Sequence, residues 1–318
     1  MRLHSFSHHD TMAKNHQKAC GYTMKYFEKH PFSMIIIGVF GISLSSIFVK
    51  YSPAPSAVTA AWRLLWTVIL MSPVVLGKRE FRQELEQAGR KSILLSCLSG
   101  LFLAVHFALW FESLRHTSVA SSTTIVCTEV IWVSLGYWLF MKGKISKRAL
   151  LAIAITLCGS VLIALSDSGS GAHLYGDILA LLAAIAVAVY MLIGRVVQAK
   201  LSTSVYTFMV YGACGLSLLA VCFINQYGLF QYGIGPIVVG LLLSIFSTIL
   251  GHSIFTWCLK YFSPSFVSAS KLCEPVVAAI LAALLFFEIP KGLQILGGVL
   301  IIGGVLYYSR IERAEQTK

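Results

Sequence analysis

Long apolar stretches follow one another along the chain after Pro31, separated by short polar breaks. Most of them reach the roughly 20 residues that a helix needs to cross the core of a bilayer. The predicted spans cover residues 33–50, 56–77, 92–114, 118–140, 148–166, 174–197, 204–225, 235–257, 263–287 and 292–309. The pattern therefore predicts an all-α integral membrane protein with ten transmembrane helices.

The polar segments around these spans are short. Residues 1–31 and 310–318 are predicted tails, and residues 1–30 lack the apolar run of a cleavable signal peptide. The histidines of the first tail are typical of a disordered segment more than of a metal site. The longest internal break, residues 78–91 with the sequence KREFRQELEQAGRK, predicts a short helix at the membrane interface.

Composition agrees with a membrane protein and excludes other classes. Hydrophobic residues make up 57% of the chain and charged residues 12%, about half the charged fraction of a soluble domain. The net charge of +12 resides in tails and loops, without a basic helix interleaved with aromatic residues, so nucleic acid is not an expected partner. None of the eight cysteines has CxxC spacing, and we interpret them as packing residues, not as metal ligands.

The distribution of Lys and Arg among the loops predicts how the chain is oriented in the membrane. The loops on the side of the N-terminus carry twelve Lys and Arg residues, whereas the opposite loops carry only Lys50, Arg115 and Lys291. Because Lys and Arg are retained on the cytoplasmic side, both termini are predicted to be cytoplasmic. The expected location is the plasma membrane or bacterial inner membrane.

Two stretches of the chain resemble each other. His106 precedes Glu129 by 23 residues, and His252 precedes Glu274 by 22. Each pair encloses an aromatic helix end and a Ser/Thr-rich helix start. If spans 3–5 repeat as spans 8–10, the unit has five helices, and an odd number of spans inverts the second copy. The chain is then two inverted five-helix repeats with a binding site between them.

The stretches ESLRHTSVASSTTIV (Glu112–Val126) and GHSIFTWCLKYFSPSFVSASKLCEPVVAAILAALLFFE (Gly251–Glu288) resemble the drug/metabolite transporter superfamily, in its EamA-like ten-helix branch. The resemblance implies two EamA domains, at residues 32–166 and 174–309, and transport of a metabolite or drug. The chain departs from the family pattern at two places. Val130 stands where the second half has Pro275, and Lys142, Gly143 and Lys144 replace the acid that Glu288 supplies in the second half.

Four charged residues fall well inside the predicted spans, namely Arg63, Glu129, Lys271 and Glu274. Each costs about 2.5–3.5 kcal/mol at the centre of a helix on insertion scales, so each needs a partner or a function. Lys271 and Glu274 are three residues apart on one helix face, which predicts an ion pair, either structural or lining the central cavity. Glu129 is a candidate proton carrier or a partner of Arg63, and Arg63 a candidate carboxylate clamp or a ligand of helix-end carbonyls.

Aromatic and histidine side chains complete the candidate substrate site. His106 and His252 occupy matching positions in the two halves, as packing residues or as a proton relay. Trp110 and Trp257 are candidates for stacking on a substrate ring or for anchoring at the interface.

The four buried charges sum to zero, which favours a zwitterion such as an amino acid over a polyphosphate. The sequence therefore predicts a secondary transporter, most simply an exporter of a small polar metabolite, with protons as a candidate coupling ion and a monomer or homodimer as the functional unit. The alternatives are a passive channel and a non-transporting scaffold. The chain lacks the HExxH and GxxxxGK[ST] motifs, so neither a membrane enzyme nor an ATP-driven pump is expected, and no cofactor is implied.

Overall fold

The computed structural model describes residues 31–117, 119–167, 174–277, 280–281 and 292–316. All regular secondary structure in these residues is helical. The helices are α1 (Pro31–Ser43), α2 (Ser45–Lys50), α3 (Ser56–Gly77), α4 (Arg79–Glu86), α5 (Arg90–His116), α6 (Val119–Cys127), α7 (Glu129–Met141), α8 (Lys147–Asp167), α9 (Leu174–Val197), α10 (Thr203–Ile224), α11 (Gly235–Leu242), α12 (Leu243–Ser253), α13 (Ile254–Cys258), α14 (Pro264–Lys271) and α15 (Gly292–Gln316). The sequence prediction of an all-helical chain is confirmed.

Eight helical segments of the described residues are long and apolar enough to cross a membrane. They match predicted spans 1 to 4, 6 to 8 and 10. The fifth and ninth predicted spans, which coincide with α8 and with the region from α14 onward, are not among these eight. The count of ten crossings and the inverted repeat therefore stay predictions. Residues 1–30, residues 317–318 and Glu288 lie outside the described residues, whereas residues 310–316 of the predicted C-terminal tail continue helix α15.

The bundle is apolar outside and polar inside. Large apolar side chains face outward along the helices, with Phe140 82% exposed and Phe223 86% exposed. The interior holds serines, threonines and charged side chains, and Arg63 is 0% exposed. This distribution is the one expected when lipid is the solvent, because each polar group must then find its partner inside the protein.

Small residues let helices approach closely. Gly100 of α5 faces α10, where an added Cβ would lie 2.5 Å from the carbonyl oxygen of Val210. No side chain larger than hydrogen fits at that distance, so glycine fixes the separation of the two backbones, as is common between membrane helices. This packing forms one wall of the interior.

Three of the predicted spans are interrupted in the described residues. The first is broken at Leu44, between α1 and α2, and the fourth at Thr128, between α6 and α7. In the ninth, α14 ends at Lys271, residues 272–273 form a turn, and helical structure resumes at residue 274. The eighth segment is continuous but is wound as a π-helix over α12. Such irregularities are frequent at functional sites in membrane helices.

Candidate functional site

The interruptions of the fourth and ninth segments each position an acidic residue. The hydroxyl of Thr128 donates to the carbonyl of Ile125 at 2.6 Å, a local bond that competes with continuous helix. Glu129 is consequently the first residue of α7, and Glu274 is the first residue after the matching turn. The positive end of a helix dipole favours a negative charge at such a position.

Both acids face a cavity at the centre of the bundle, which we call the central cavity. Its volume is about 40 Å³, room for about three waters. Its lining comprises Ile42, Ser45, His106, Trp110, Val126, Cys127, Glu129, Ser247, His252, Ser268, Lys271, Leu272 and Glu274. The cavity thus draws side chains from both halves of the chain.

An ion pair joins the two halves across the central cavity. Lys271 Nζ donates to Glu129 Oε1 at 2.8 Å, and the hydroxyl of Ser268 donates to the same oxygen at 3.0 Å. The Lys271 and Glu129 side chains are 9% and 5% exposed. With water excluded, each charge depends on the other for its stabilisation, so losing one partner leaves a buried, uncompensated charge.

The expected pairing of Lys271 with Glu274 is therefore wrong. The i, i+3 argument assumed a continuous helix, but α14 ends at Lys271 and the turn at residues 272–273 changes the direction in which Glu274 points. The alternative pairing of Glu129 with Arg63 is also wrong, because Lys271 and Ser268 occupy the described contacts of that carboxylate. The hydroxyl of Ser122, one helical segment earlier, contacts that of Ser113 at 2.9 Å.

Glu274 is the acidic residue of the central cavity that does not take part in the ion pair with Lys271. It lines the central cavity, and its carboxylate makes no hydrogen bond or salt bridge with any residue in the described part of the chain. Its backbone carbonyl accepts a bond from the hydroxyl of Ser43 at 3.4 Å, which fixes the start of the helix. A carboxyl group without a direct partner among the described residues is thus directed at the cavity.

Arg63 is the buried cation that forms no ion pair with a described carboxylate. Its Nε donates to the hydroxyl of Thr248 at 2.7 Å and its Nη1 to that of Ser45 at 3.3 Å. Its guanidinium carbon lies 4.1 Å from the ring centroid of Phe107, a cation–π contact. Nη2 is buried and has no hydrogen-bond partner among the described residues. Arg63 lies outside the lining of the central cavity, directly behind Ser45, which belongs to that lining.

The π-helix α12 supplies the polar groups that receive Arg63. Its wider turn is visible in the contact of the Thr248 hydroxyl with the carbonyl of Leu243, five residues earlier, at 3.2 Å. This winding buries Ser247, Thr248 and His252 on one side of the helix. Sequence reasoning missed Ser247 and Thr248. It also missed Ser268, although Ser268 precedes Lys271 by three residues and so shares its helix face.

The two histidines predicted at matching positions meet at the central cavity, with ring centroids 6.3 Å apart. His106 Nδ1 lies 3.0 Å from the carbonyl oxygen of Ala183. Because a carbonyl only accepts, Nδ1 carries the proton, and Nε2 of the neutral ring is an acceptor. Trp110 stacks on His106 at 6.0 Å, and its indole N–H is buried without a partner among the described residues.

Six of the eight candidate residues line the central cavity, namely Glu129, Lys271, Glu274, His106, His252 and Trp110. Arg63 lies behind the wall. Trp257 packs against Tyr261, with ring centroids 4.4 Å apart, away from this lining. We searched the described residues for groups of His, Cys, Asp and Glu that could hold a metal ion and found none there.

An apolar exterior around an interior cavity lined by charged side chains is the arrangement of a multi-pass membrane protein with a polar centre. The sequence pattern of the EamA-like transporter family matches the chain twice, at residues 31–165 and 174–310. The chain belongs to the EamA-like transporter family. It is a membrane transporter, and family membership implies a small-molecule substrate, a lipid bilayer environment and a non-enzymatic function.

Proteins that are similar to this chain are also described as transporters. The chain is 25% identical over 276 residues to the "Uncharacterized transporter YxxF" of Bacillus subtilis strain 168, covering 86% of each chain. It is also 25% identical over 276 residues to the "Uncharacterized transporter YyaM" of that organism, covering 83% of this chain and 86% of YyaM. A solved crystal structure shares the fold with a TM-score of 0.72 at 16% identity, covering 90% of this chain and 99% of the other.

Proposed function

We propose that this transporter is a secondary exporter of a small zwitterionic metabolite, such as an amino acid, which it binds in the central cavity. One observation carries the proposal. Among the described residues, Glu129, Lys271 and Glu274 line the central cavity and Arg63 lies behind its wall, and of these four only Lys271 and Glu129 form a direct ion pair. The remaining pair, Arg63 and Glu274, offers one charge of each sign to a solute.

The unpartnered groups match the two ends of an amino acid. Arg63 Nη2 and the indole N–H of Trp110 are donors without acceptors in the described structure, suited to a carboxylate. Glu274 is a carboxylate without a close donor, suited to an ammonium group. Buried polar groups normally have partners. Trp110 and Glu274 line the central cavity and Arg63 lies directly behind Ser45 in its wall, so these unpartnered groups together support a polar ligand there. We assign the amine to Glu274, because Glu129 is already paired with Lys271.

The size of the central cavity favours alternating access. A volume of about 40 Å³ holds about three waters and is too small for an amino acid, so the cavity has to open for binding. We propose that the ten spans form two inverted five-helix repeats that move against each other around this cavity. The matched interruptions that precede Glu129 and Glu274 support the repeat.

Export and proton coupling are proposed on similar grounds. Export of amino acids fits members of the family that the chain resembles. Glu129 and Glu274 are carboxyl groups inside the membrane region, and such residues commonly relay protons in transporters. We propose protons as the coupling ion, and the plasma or inner membrane as the location, with both termini cytoplasmic.

The test is flux into proteoliposomes containing the purified full-length chain, with a panel of radiolabelled amino acids in a counterflow assay. We expect saturable counterflow of at least one amino acid. Glu274→Gln and Arg63→Gln should each lower its transport at least about tenfold, because each removes a charge–charge contact worth more than about 1.4 kcal/mol. Glu86→Gln, on the exposed helix α4, is the matched control and should transport normally.

Flux that does not saturate would indicate a channel, and no flux of any amino acid would remove the assigned substrate class. If Glu274→Gln and Arg63→Gln both transport at the wild-type rate from acidic to mildly alkaline pH, the buried charges are structural and the proposed site is wrong.

A further inference from the structure

A second, larger cavity lies at one end of the bundle and plays no part in the site described so far. It has a volume of about 200 Å³. It is bounded by the end of α7, the α7–α8 loop, α9, the turn before α14 and the last turns of α15. We call it the peripheral cavity. By the loop charges, this end of the bundle is the cytoplasmic one.

The charges of the peripheral cavity are balanced like those of the central cavity. Its lining includes two cations, Lys144 and Arg195, and two carboxylates, Glu312 and Glu315. Glu312 accepts from the backbone N–H of Ser263 at 2.5 Å and from its hydroxyl at 2.9 Å, and Arg195 donates to the carbonyl of Phe262 at 3.4 Å. These two residues hold the walls together.

Three other side chains of the peripheral cavity, Lys144, Glu315 and Ser265, do not bond to its walls in this way. Lys144 and Glu315 are exposed to the cavity mouth and make no hydrogen bond or salt bridge within the described residues. Ser265 is 0% exposed, and its hydroxyl makes no hydrogen bond there, although the Tyr308 hydroxyl lies nearby. A buried hydroxyl at the inner wall with the Tyr308 hydroxyl beside it, below one exposed charge of each sign, is an arrangement that a small polar solute would complete.

Helix α14 links the two cavities. Ser265 lines the peripheral cavity, and Ser268 and Lys271 line the central one. At spacings of three and six residues the three side chains follow one helix face, and a rise of 1.5 Å per residue separates Ser265 from Lys271 by about 9 Å along the axis. Polar side chains thus follow α14 from the wall of one cavity to the wall of the other.

We propose that the peripheral cavity is a second binding site, a vestibule in which the transported zwitterion binds before it reaches the central cavity. The proposal rests on the proposed function for the identity of its ligand. The solute's ammonium group would face Glu315 and its carboxylate Lys144, with the Ser265 hydroxyl at the inner end.

The experiment is thiol labelling of the full-length chain. Ser265→Cys, a change of one atom, is treated with a small cationic methanethiosulfonate reagent, and adducts are counted by intact mass against the wild-type chain. We expect one additional adduct. The matched control is Ser270→Cys on the same helix, whose native hydroxyl donates to the carbonyl of Phe266 and which lines neither cavity. It should gain none.

Each amino acid of the panel is then added in turn before labelling, to test whether it protects the cysteine from the reagent. At about ten times its dissociation constant a bound amino acid leaves roughly one site in eleven free, so labelling should slow about tenfold. The protection should persist in Ser265→Cys/Glu274→Gln, because the central carboxylate does not contribute to the vestibule.

Each outcome has a separate meaning. No adduct on Ser265→Cys overturns the vestibule whatever the flux assay gives. Transport of an amino acid that does not protect, or protection that disappears with Glu274→Gln, leaves only the central site and overturns the vestibule as well. Protection without transport supports the second site and overturns the proposed function. Neither transport nor protection overturns both.

Discussion

Lys271 and Glu129 belong to opposite halves of the chain, and their contact ties the halves together at the centre of the membrane region. Ser268 strengthens this contact from the same helix face as Lys271. A carrier that moves one half against the other has to lengthen or exchange this bond during its cycle. Glu274, which has no direct partner among the described residues, is the second carboxyl group of that cavity's lining and could receive Lys271 in another state.

A double-mutant cycle tests the ion pair. Lys271→Met and Glu129→Gln should each lower the free energy of unfolding by about 3–5 kcal/mol, because each leaves the other charge buried and alone. The double variant should lose less than the sum of the two by about 0.5–3 kcal/mol. Thermal unfolding of the detergent-purified proteins measures these differences.

The control cycle combines Lys271→Met with Glu274→Gln, which are not in direct contact in the structure. The coupling between these two losses should be smaller than the coupling between Lys271 and Glu129, because only Glu129 forms a direct ion pair with Lys271. Additive losses for Lys271 with Glu129, together with coupling between Lys271 and Glu274, would contradict the observed pairing and restore the one expected from sequence.

At the residue scale, the sequence predicts which charges are buried but not how they pair. Hydropathy alone identifies Arg63, Glu129, Lys271 and Glu274, because each interrupts an apolar run. Their partners depend on where the chain turns within a span and on contacts between residues more than 100 positions apart, such as Ser268 with Glu129. Helical spacing within one segment cannot supply that information.

At the scale of secondary-structure elements, the positions of the helices agree closely with the apolar stretches of the sequence. Predicted spans 56–77 and 174–197 coincide with α3 and α9, and the predicted helix in the 78–91 break appears as α4. The interruptions inside spans were not predicted. Pro275 follows the turn of the ninth segment, but the fourth segment breaks at the matching place before Val130, where no proline stands. Local hydrogen bonding at Thr128 suffices for the break.

Helix packing gives a prediction at the same scale. Gly100→Ala would force a Cβ to within 2.5 Å of the Val210 carbonyl oxygen, so α5 and α10 have to separate. Overpacking of this kind costs about 1–3 kcal/mol. Gly212→Ala in α10 is the matched control, since a Cβ there meets nothing within 4 Å, and replacing glycine within a helix stabilises it by about 1 kcal/mol.

Thermal unfolding of the two purified variants should therefore shift in opposite directions, with Gly100→Ala less stable than the wild-type chain and Gly212→Ala at least as stable. Equal stability of the two variants would show that the approach of α5 to α10 is not fixed by Gly100.

For the whole molecule, the number of crossings decides the topology, and helix α8 is the test case. α8 is not among the eight segments selected by length and apolarity, yet its 21 residues extend about 31 Å, the thickness of a bilayer core. It packs along α15, and on its outer side Leu150 is 51% exposed and Leu165 59% exposed. A helix placed in this way borders lipid over its whole length.

We therefore predict that α8 crosses the membrane and that the chain returns its C-terminus to the side of its N-terminus. Fusions ending at Lys144 and at Ser170 place a reporter before and after α8. Green fluorescent protein should fluoresce in the cytoplasm on the first, and alkaline phosphatase should be active outside on the second. Fluorescent reporters at both ends of the full chain should also be cytoplasmic, because the twelve Lys and Arg residues of the loops on that side are retained there. If both α8 fusions report the same side, α8 does not cross, the second half of the chain has the same orientation as the first, and an inverted repeat is impossible.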